Sequence, residues 1–562
     1  MNKYHDNITF KIAFGVALAC LLVYLPALSC DFINWDDPDY IINNPAIRIL
    51  DLQFVREAFT TSYMGWWMPL TWISFAIDYY FWELNPIGYH LTNILLHAAN
   101  AGLVVLVADC LLSQWYRVRG HAGGDNAPIS GHPMTRDGWE GAIYPVTLML
   151  AGMLWALHPL RVESVAWVTE RKDVLNGLFS IATMLCYLQY VRVKDGSHLT
   201  GAAIRGYILS LVFLLLSLMS KPVSVVIPAM MLVADWYPLG RFRRERALTL
   251  LVEKLPFAAL VVLVSAATIY FASGNQILVS YEDLPLSSRF LLAGNSLFEY
   301  LRLTLYPVGI IHIYLLPWPF PDSYTVKALL VVFFSCICVW QCRRNPWLPA
   351  TWLAFILPLV PVLGFFQNGA QSHAARFTYL SGVSISICAA TLPAVLYGYT
   401  AKSGFRVPRV LLGVLVGVPV LVFIAITLRH ISAWKNPETL WSRAIAIRPV
   451  GRAYYLRADY FLEKGRYLEA VDDLQMSIKL GKQAGFPEIF NLHALRGDAF
   501  NRIGRYAEAV EEFTQAISLY PFPDYFYHRG LALQGLGRSR DAETDFLKAG
   551  NHRGAIEWRK KL

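Results

Sequence analysis

Eleven apolar stretches in this 562-residue chain read as candidate membrane crossings, and they limit its fold more than any other feature. A span needs roughly 20 apolar residues to cover the hydrocarbon core. No water reaches backbone amides and carbonyls there, so each crossing closes its own hydrogen bonds as a helix. The stretches are 10–28, 89–115, 143–157, 174–191, 207–219, 223–237, 255–271, 326–340, 347–366, 377–397 and 410–428. The pair 207–219 and 223–237 is short and joined by Ser220, Lys221 and Pro222, which also suits a tilted hairpin. Only 16% of the chain is charged and 56% is hydrophobic. A soluble domain carries roughly 25% charge. The first stretch has no small-residue cleavage site after it and reads as a retained helix rather than a removed signal.

The net charge of +9 does not point to nucleic acid, because the basic residues sit in short clusters between apolar stretches. Such clusters orient a protein in a bilayer. Arg117 and Arg119, Arg192 with Lys194 and Arg205, the 241–246 run, Arg343 with Arg344, and the 402–409 run should share the cytoplasmic side. They do so only if 289–306 does not span. That segment sets Arg289, Asn295, Ser296, Glu299 and Arg302 opposite Phe290, Leu297, Leu301 and Leu305, the pattern of an interfacial amphipathic helix. The N-terminus is then cytoplasmic and the C-terminus external. Eight cysteines lie in or beside apolar stretches without CxxC spacing or histidine partners, so they read as small apolar residues.

Beyond residue 428 charged residues return and a pattern recurs: GRYLEAVDDLQMSI from Gly465, GRYAEAVEEFTQAI from Gly504 and GRSRDAETDFLKA from Gly537. The starts are 39 and 33 residues apart, close to the 34-residue tetratricopeptide period with one loop insertion. NPETLWSRAIAIRP from Asn436 reads as a further repeat helix, giving about three and a half repeats. Gly530, Ala532 and Leu533 fall where small and apolar packing residues belong. The expected fold is therefore all-α: a polytopic helical membrane module over residues 1–428 and an extracytoplasmic α-solenoid over 429–562.

Charge concentrates in the loops assigned to the external side, against the usual Lys/Arg bias. The first loop reads FINWDDPDYIINNP, with Asp36, Asp37 and Asp39. Taken alone this run is a solvated turn; its neighbours change that reading. HPLRVESVAWVTERKDVLNG places His158, Arg161, Glu163, Glu170, Arg171, Lys172 and Asp173 near one external loop. Lys221 and Arg376 are external too, and ions of this kind are functional candidates. His90, Asn93, His97 and Asn100 share one face of the second helix, a stripe that suits hydrogen bonding between helices.

Together these blocks resemble the transmembrane and tetratricopeptide-containing O-mannosyltransferases and their bacterial relatives, within the GT-C glycosyltransferases. The resemblance is carried by NWDDPDYIINNP, MPLTWISFAIDYYFWELNPIGYHLTNILLH, ALHPLRVESVAWVTERKDVLNGLF, SKPVSVVIPAMMLVADW, ARFTYLSG and the repeats. It implies a GT-C-like module, a catalytic acid in the first external loop, and inverting transfer of a sugar from a polyprenyl-phosphate donor. Such transfer needs a carboxylate to take the acceptor proton, while the phosphate leaving group needs nearby cations. The resemblance assigns Asp36 and Asp37 to the acidic pair, one of them the base. Arg171, Lys172, Lys221 and Arg376 are expected to hold the lipid phosphate, and His158, Glu163, Arg161 and His90 to orient substrates.

The chain departs from animal relatives at Lys221-Pro222, Met68-Pro69 and Ala375-Arg376, where those tend to carry Lys-Glu, Arg-Pro and Glu-Arg, and this bears on the substrate. The expected partners are the polyprenyl-phosphate sugar, membrane lipid and an acceptor protein or peptide captured by the repeats, most readily at Ser/Thr; no nucleic acid is expected. The three loop carboxylates also suit a divalent cation. A transferase acting on a lipid or surface polysaccharide shares the same donor. A non-enzymatic repeat scaffold leaves the external acids and bases unexplained. The resemblance to bacterial relatives implies a bacterial inner membrane with periplasmic repeats.

Overall fold

The computed structural model describes residues 3–120, 139–194, 200–243, 245–272, 282, 284–365, 371–402, 409–481, 488–550 and 552–559. Parts of two basic runs, Arg244 and 403–408, lie outside the described residues, as do 560–562. The chain forms two compact units. One comprises Met1–Phe32, Asp36–Ile310 and Asp322–Trp434; the other comprises Ile33–Trp35, Ile311–Pro321 and Lys435–Leu562.

The first unit makes this an integral membrane protein. Among the described residues eight helices are long and apolar enough to cross: Asn7–Ser29, Pro86–Gln114, Val168–Val193, Gly201–Ser220, Ala247–Phe271, Asp322–Trp340, Ala375–Tyr397 and Gly413–Ala433. A ninth forms if Ile143–Ala156 and Pro159–Ala166, bent by 48°, act as one span. The expected count of about eleven drops because two of the apolar stretches are shorter helices, Pro222–Trp236 and Trp347–Val362. Each contains a tightened 3-10 segment at prolines, Pro222–Val226 in one and Leu357–Val362 in the other. Proline removes an amide donor and shortens what the helix can span. The segment 207–219 instead belongs to a 20-residue helix opened by Thr200, whose side chain accepts from the Ala203 amide.

Lipid inverts the usual layering. Large apolar side chains such as Phe10, Leu263 and Val339 face outward, while the polar stripe on the second crossing is fully buried. Asn93 Nδ2 donates to the carbonyls of Val165 and Trp167, both at 3.2 Å, and Asn100 Nδ2 to that of Val174 at 2.9 Å. His97 meets Tyr379 Oη at 2.7 Å and the Ala156 carbonyl at 3.0 Å. The stripe thus fastens helices, as its spacing suggests. The Leu286–Leu305 helix lies outside the eight crossings. Its polar face turns inward: Arg289 is buried and donates to the carbonyls of Leu284 and Phe365, while Phe290 and Leu305 are exposed. A second buried network ties Tyr187, Asp235, Arg241, Glu253 and Lys254, with Lys254–Asp235 at 2.6 Å and Arg241–Glu253 at 2.9 Å. Along the helix it lies about 24 Å from Arg171.

The second unit contains the repeats. Three helix pairs follow one another: Gly451–Glu463 with Tyr467–Leu480, Ile489–Arg502 with Tyr506–Leu519, and Pro523–Gly535 with Ser539–Lys548. The leading half repeat is Pro437–Ile447, started by an Asn436–Thr439 capping box, a feature worth about 1 kcal/mol. Gly465, Gly504 and Gly537 sit at φ near +72° to +75° between the helices of each pair, a conformation that favours glycine. One arginine of each first helix pairs with an acid of the second, always sixteen residues on. Arg457 pairs with Asp473 at 2.7 Å, Arg529 with Asp545 at 2.7 Å, and Arg496 with Glu512. Gly530 lies against Phe546 and Ala532 and Leu533 are buried, as the repeat pattern requires.

Candidate functional site

Four local structures bring charge together at one place in the membrane unit. The 3-10 turn and short helix after His158 carry Arg161 and Glu163. A second 3-10 turn, Val168–Glu170, runs directly into the Arg171–Val193 helix, with Asp173 in its first turn, where an anion suits the helix dipole. Lys221 closes the Gly201–Ser220 helix, where a cation suits the dipole. Arg376 stands in the turn before the Thr378–Ala390 helix.

The result is a compact alternation of signs. Arg376 donates to Glu163 at 2.5 Å and approaches Glu170 at 3.2 Å. Glu170 also faces Lys172 at 3.3 Å and Lys221 at 3.6 Å, and Lys221 pairs with Asp173 at 2.5 Å. The three carboxylate side chains are nearly sealed, at 1–7% exposure, whereas Lys172, Lys221 and Arg376 keep 11–15%. Aromatic rings floor the bases: Trp167 and Phe377 lie 5.4 and 4.9 Å from the Arg376 guanidinium, and Tyr40 lies 5.0 Å from Lys172 Nζ. Each ring face adds attraction for a cation. Beside the cluster lies a small crevice of about 20 Å3 walled by Asp173, Asn176, Lys221, Arg376 and Phe377. Ile385, Ser386 and Ala389 of the Thr378–Ala390 helix line a larger, mostly apolar groove of about 670 Å3, with His158 also on its wall.

The acidic pair of the first loop divides. Asp37 is fully buried, and its Oδ1 accepts from the Thr169 amide at 3.1 Å and from the Thr169 hydroxyl. It starts a single π-helical turn, Pro38–Ile42. Asp36 is half-buried and Asp39 exposed. Tyr40, on that turn, links the loop to the cluster: burial pushes its hydroxyl well up, and the carboxylates of Asp36 and Glu170 add to the push. No set of three His, Cys, Asp or Glu side chains among the described residues is arranged to hold a metal ion, the Asp36, Asp37 and Asp39 run included.

Several expected ligand-facing residues lie elsewhere. Arg171 is sealed in the helix packing, paired with Asp78 at 2.6 Å and donating to the Tyr89 carbonyl at 2.9 Å and to Asn93. Removing one partner of such a buried pair costs about 3–5 kcal/mol. Its side chain is turned inward, not toward the crevice, because Asp78 and Asn93 satisfy it there. His90 is fully buried on the interhelical stripe. Arg161 is 1% exposed and donates to Thr378 Oγ1 at 3.1 Å, and His158 Nε2 meets the Thr304 carbonyl at 2.9 Å. Glu170, Asp173 and Tyr40, by contrast, enter the cluster although sequence reasoning gave them no role. The acid three residues into a helix after ERK was the available signal for Asp173; Tyr40 offered none.

Fold and site together describe a polytopic helical membrane protein with a clustered ionic site and a tetratricopeptide array. A tetratricopeptide repeat family model matches residues 490–523. The chain is similar to protein O-mannosyl-transferase TMTC4 of Homo sapiens, 27% identical over 245 residues, 41% of this chain and 30% of that protein. TMTC2 of Mus musculus, of the same printed name, is 29% identical over 187 residues, 32% of this chain and 19% of that one. TMTC3 of Homo sapiens is 23% identical over 308 residues, 50% of this chain and 29% of that one. The chain thus spans less than a third of the length of these curated relatives. The likeness stands at family level, as the sequence blocks imply.

Proposed function

We propose that this protein is a glycosyltransferase that moves a sugar, mannose by likeness to its relatives, from a polyprenyl-phosphate donor to Ser or Thr hydroxyls of a polypeptide. The observation that carries this reading is the gathering of Lys172, Lys221 and Arg376, partly open, around the buried Glu163, Glu170 and Asp173. Cations already held in place stabilise a phosphate leaving group without reorganising during the reaction. With Arg171 turned inward, the donor phosphate falls to Lys172, Lys221 and Arg376. Glu163 and Glu170 hold Arg376 in place.

Asp36 is the base in this reading. It is half-buried beside Tyr40, whereas Asp37 is closed in and spends Oδ1 on Thr169. The carboxylate takes the acceptor hydroxyl proton as the oxygen attacks the anomeric carbon. The sugar–phosphate bond breaks, the configuration inverts, and polyprenyl phosphate leaves. The mostly apolar groove walled by Leu154, Ile385, Leu396 and Phe423 supports a lipid-borne donor. Residues 1–428 form the transferase module and 429–562 the acceptor-capturing repeats, on the periplasmic side of a bacterial inner membrane with the N-terminus cytoplasmic. The Lys/Arg clusters support that orientation when the two shorter helices, Pro222–Trp236 and Trp347–Val362, also cross.

The test is sugar transfer in reconstituted membranes supplied with polyprenyl-phosphate sugars and envelope protein. Asp36→Asn should abolish transfer at normal expression. Unchanged transfer in both Asp36→Asn and Asp37→Asn would sink the assignment of the base.

A further inference from the structure

The three residues before the acidic pair belong to the repeat unit and not to the membrane unit. Ile33 is 1% exposed. Asn34 is bonded from both ends of its amide. Its Nδ2 donates to the Leu456 carbonyl at 2.7 Å and to Asp459 Oδ2 at 3.1 Å, and its Oδ1 accepts from Trp441 Nε1 at 2.9 Å. The Trp35 ring lies 5.5 Å from that of Trp441. Trp441 is on the leading half-repeat helix, and Leu456 and Asp459 are on the first helix of the next pair. The repeats are therefore sewn to a tripeptide that continues without a spacer into Asp36 and Asp37.

We infer that Asn34 is a positioning residue: its bonds to Trp441, Leu456 and Asp459 fix the tripeptide that leads directly into Asp36, and so bear on the placement of that carboxylate. This rests on the reading that Asp36 is the base. Asn34 suits the role because its amide offers a donor and an acceptor on one short, stiff side chain. Leucine or alanine would leave the Trp441 indole N–H and the Leu456 carbonyl without these partners. Burial raises the Asp459 carboxyl, and the bond from Asn34 works against that rise.

The experiment uses the full-length protein in proteoliposomes, with kcat, donor KM and the kcat–pH profile measured for transfer to a polypeptide acceptor. Asn34→Asp sets two carboxylates against each other at this contact. The expected result is a fall in kcat of about tenfold or more, a donor KM within about twofold of wild type, and a displaced acid limb of the profile. The exchange Asn34→Asp with Asp459→Asn restores the contact with residue 459 in reversed direction, leaves the Leu456 carbonyl without its donor, and should raise kcat at least about threefold over Asn34→Asp alone. A merely structural role would lower active protein without moving the acid limb. Wild-type kcat and profile in Asn34→Asp overturns the inference, as does a change confined to donor KM. It is equally overturned if the exchanged pair melts like wild type yet fails to recover. Wild-type rates in both Asp36→Asn and Asp37→Asn would instead remove the underlying assignment of the base. Loss in Asp36→Asn with Asn34→Asp unaffected removes only this inference.

Discussion

Replacing Lys221 by methionine separates a phosphate ligand from a neutralising counter-ion. Lys221 Nζ lies 2.5 Å from Asp173 and 3.6 Å from Glu170, and its side chain keeps 15% exposure at the mouth of the crevice. A hydrogen bond to a charged group contributes about 1.5–3 kcal/mol, so losing one to the donor phosphate should raise donor KM about 10- to 100-fold. The single variant also strands Asp173, which is 7% exposed, and that alone could distort the site. The double variant Lys221→Met with Asp173→Asn removes the stranded charge. If Lys221 touches phosphate, the double variant keeps the raised KM while its melting temperature returns toward wild type. If Lys221 only neutralises Asp173, KM recovers with stability. Initial rates of radiolabelled sugar transfer against donor concentration in proteoliposomes decide it. A double variant with donor KM within about twofold of wild type would refute the phosphate assignment.

Three further outcomes are expected. Asp37→Asn should lower expression and thermal stability more than it lowers the rate per folded molecule, because Asp37 is buried against Thr169, and melting curves alongside specific activity would show it. Gly530→Ala places a methyl 2.6 Å from a ring carbon of the buried Phe546. Overpacking of about 1–3 kcal/mol outweighs a helix-propensity gain of about 1 kcal/mol, so the repeats should melt several degrees lower. At Glu512 burial would raise the carboxyl, but the bonds from His493 and Arg496 outweigh it and hold the group below its usual range. The stability this lends is present above the unfolded value of about 4.3 and is lost as pH falls through the folded value. Glu512→Gln should therefore be less stable than wild type at neutral pH, with the gap closing below about pH 4; an equal gap at both pH values would contradict the ion-pair account.

The sequence by itself determined the elements. Lipid forces each crossing to satisfy its own backbone, so hydropathy over a local window marks helices, and the repeat period marks pairs whose packing involves only near neighbours. The eleven apolar stretches and the Gly465, Gly504 and Gly537 starts were legible for that reason. Tertiary structure alone decided which charges meet. Arg171 and Lys172 are adjacent in the chain, yet a helix turns one toward Asp78, 93 residues earlier, and leaves the other at the crevice. The Asp36–Asp37 pair is split in the same way, one half-buried beside Tyr40 and one locked to Thr169 from 132 residues away. Asp78 and Tyr40 carried no local sign of either partnership. A hydropathy or repeat signal is set within a few turns of chain, whereas an ion pair in a low-dielectric interior is settled by whichever distant segment arrives with the opposite charge or a free donor.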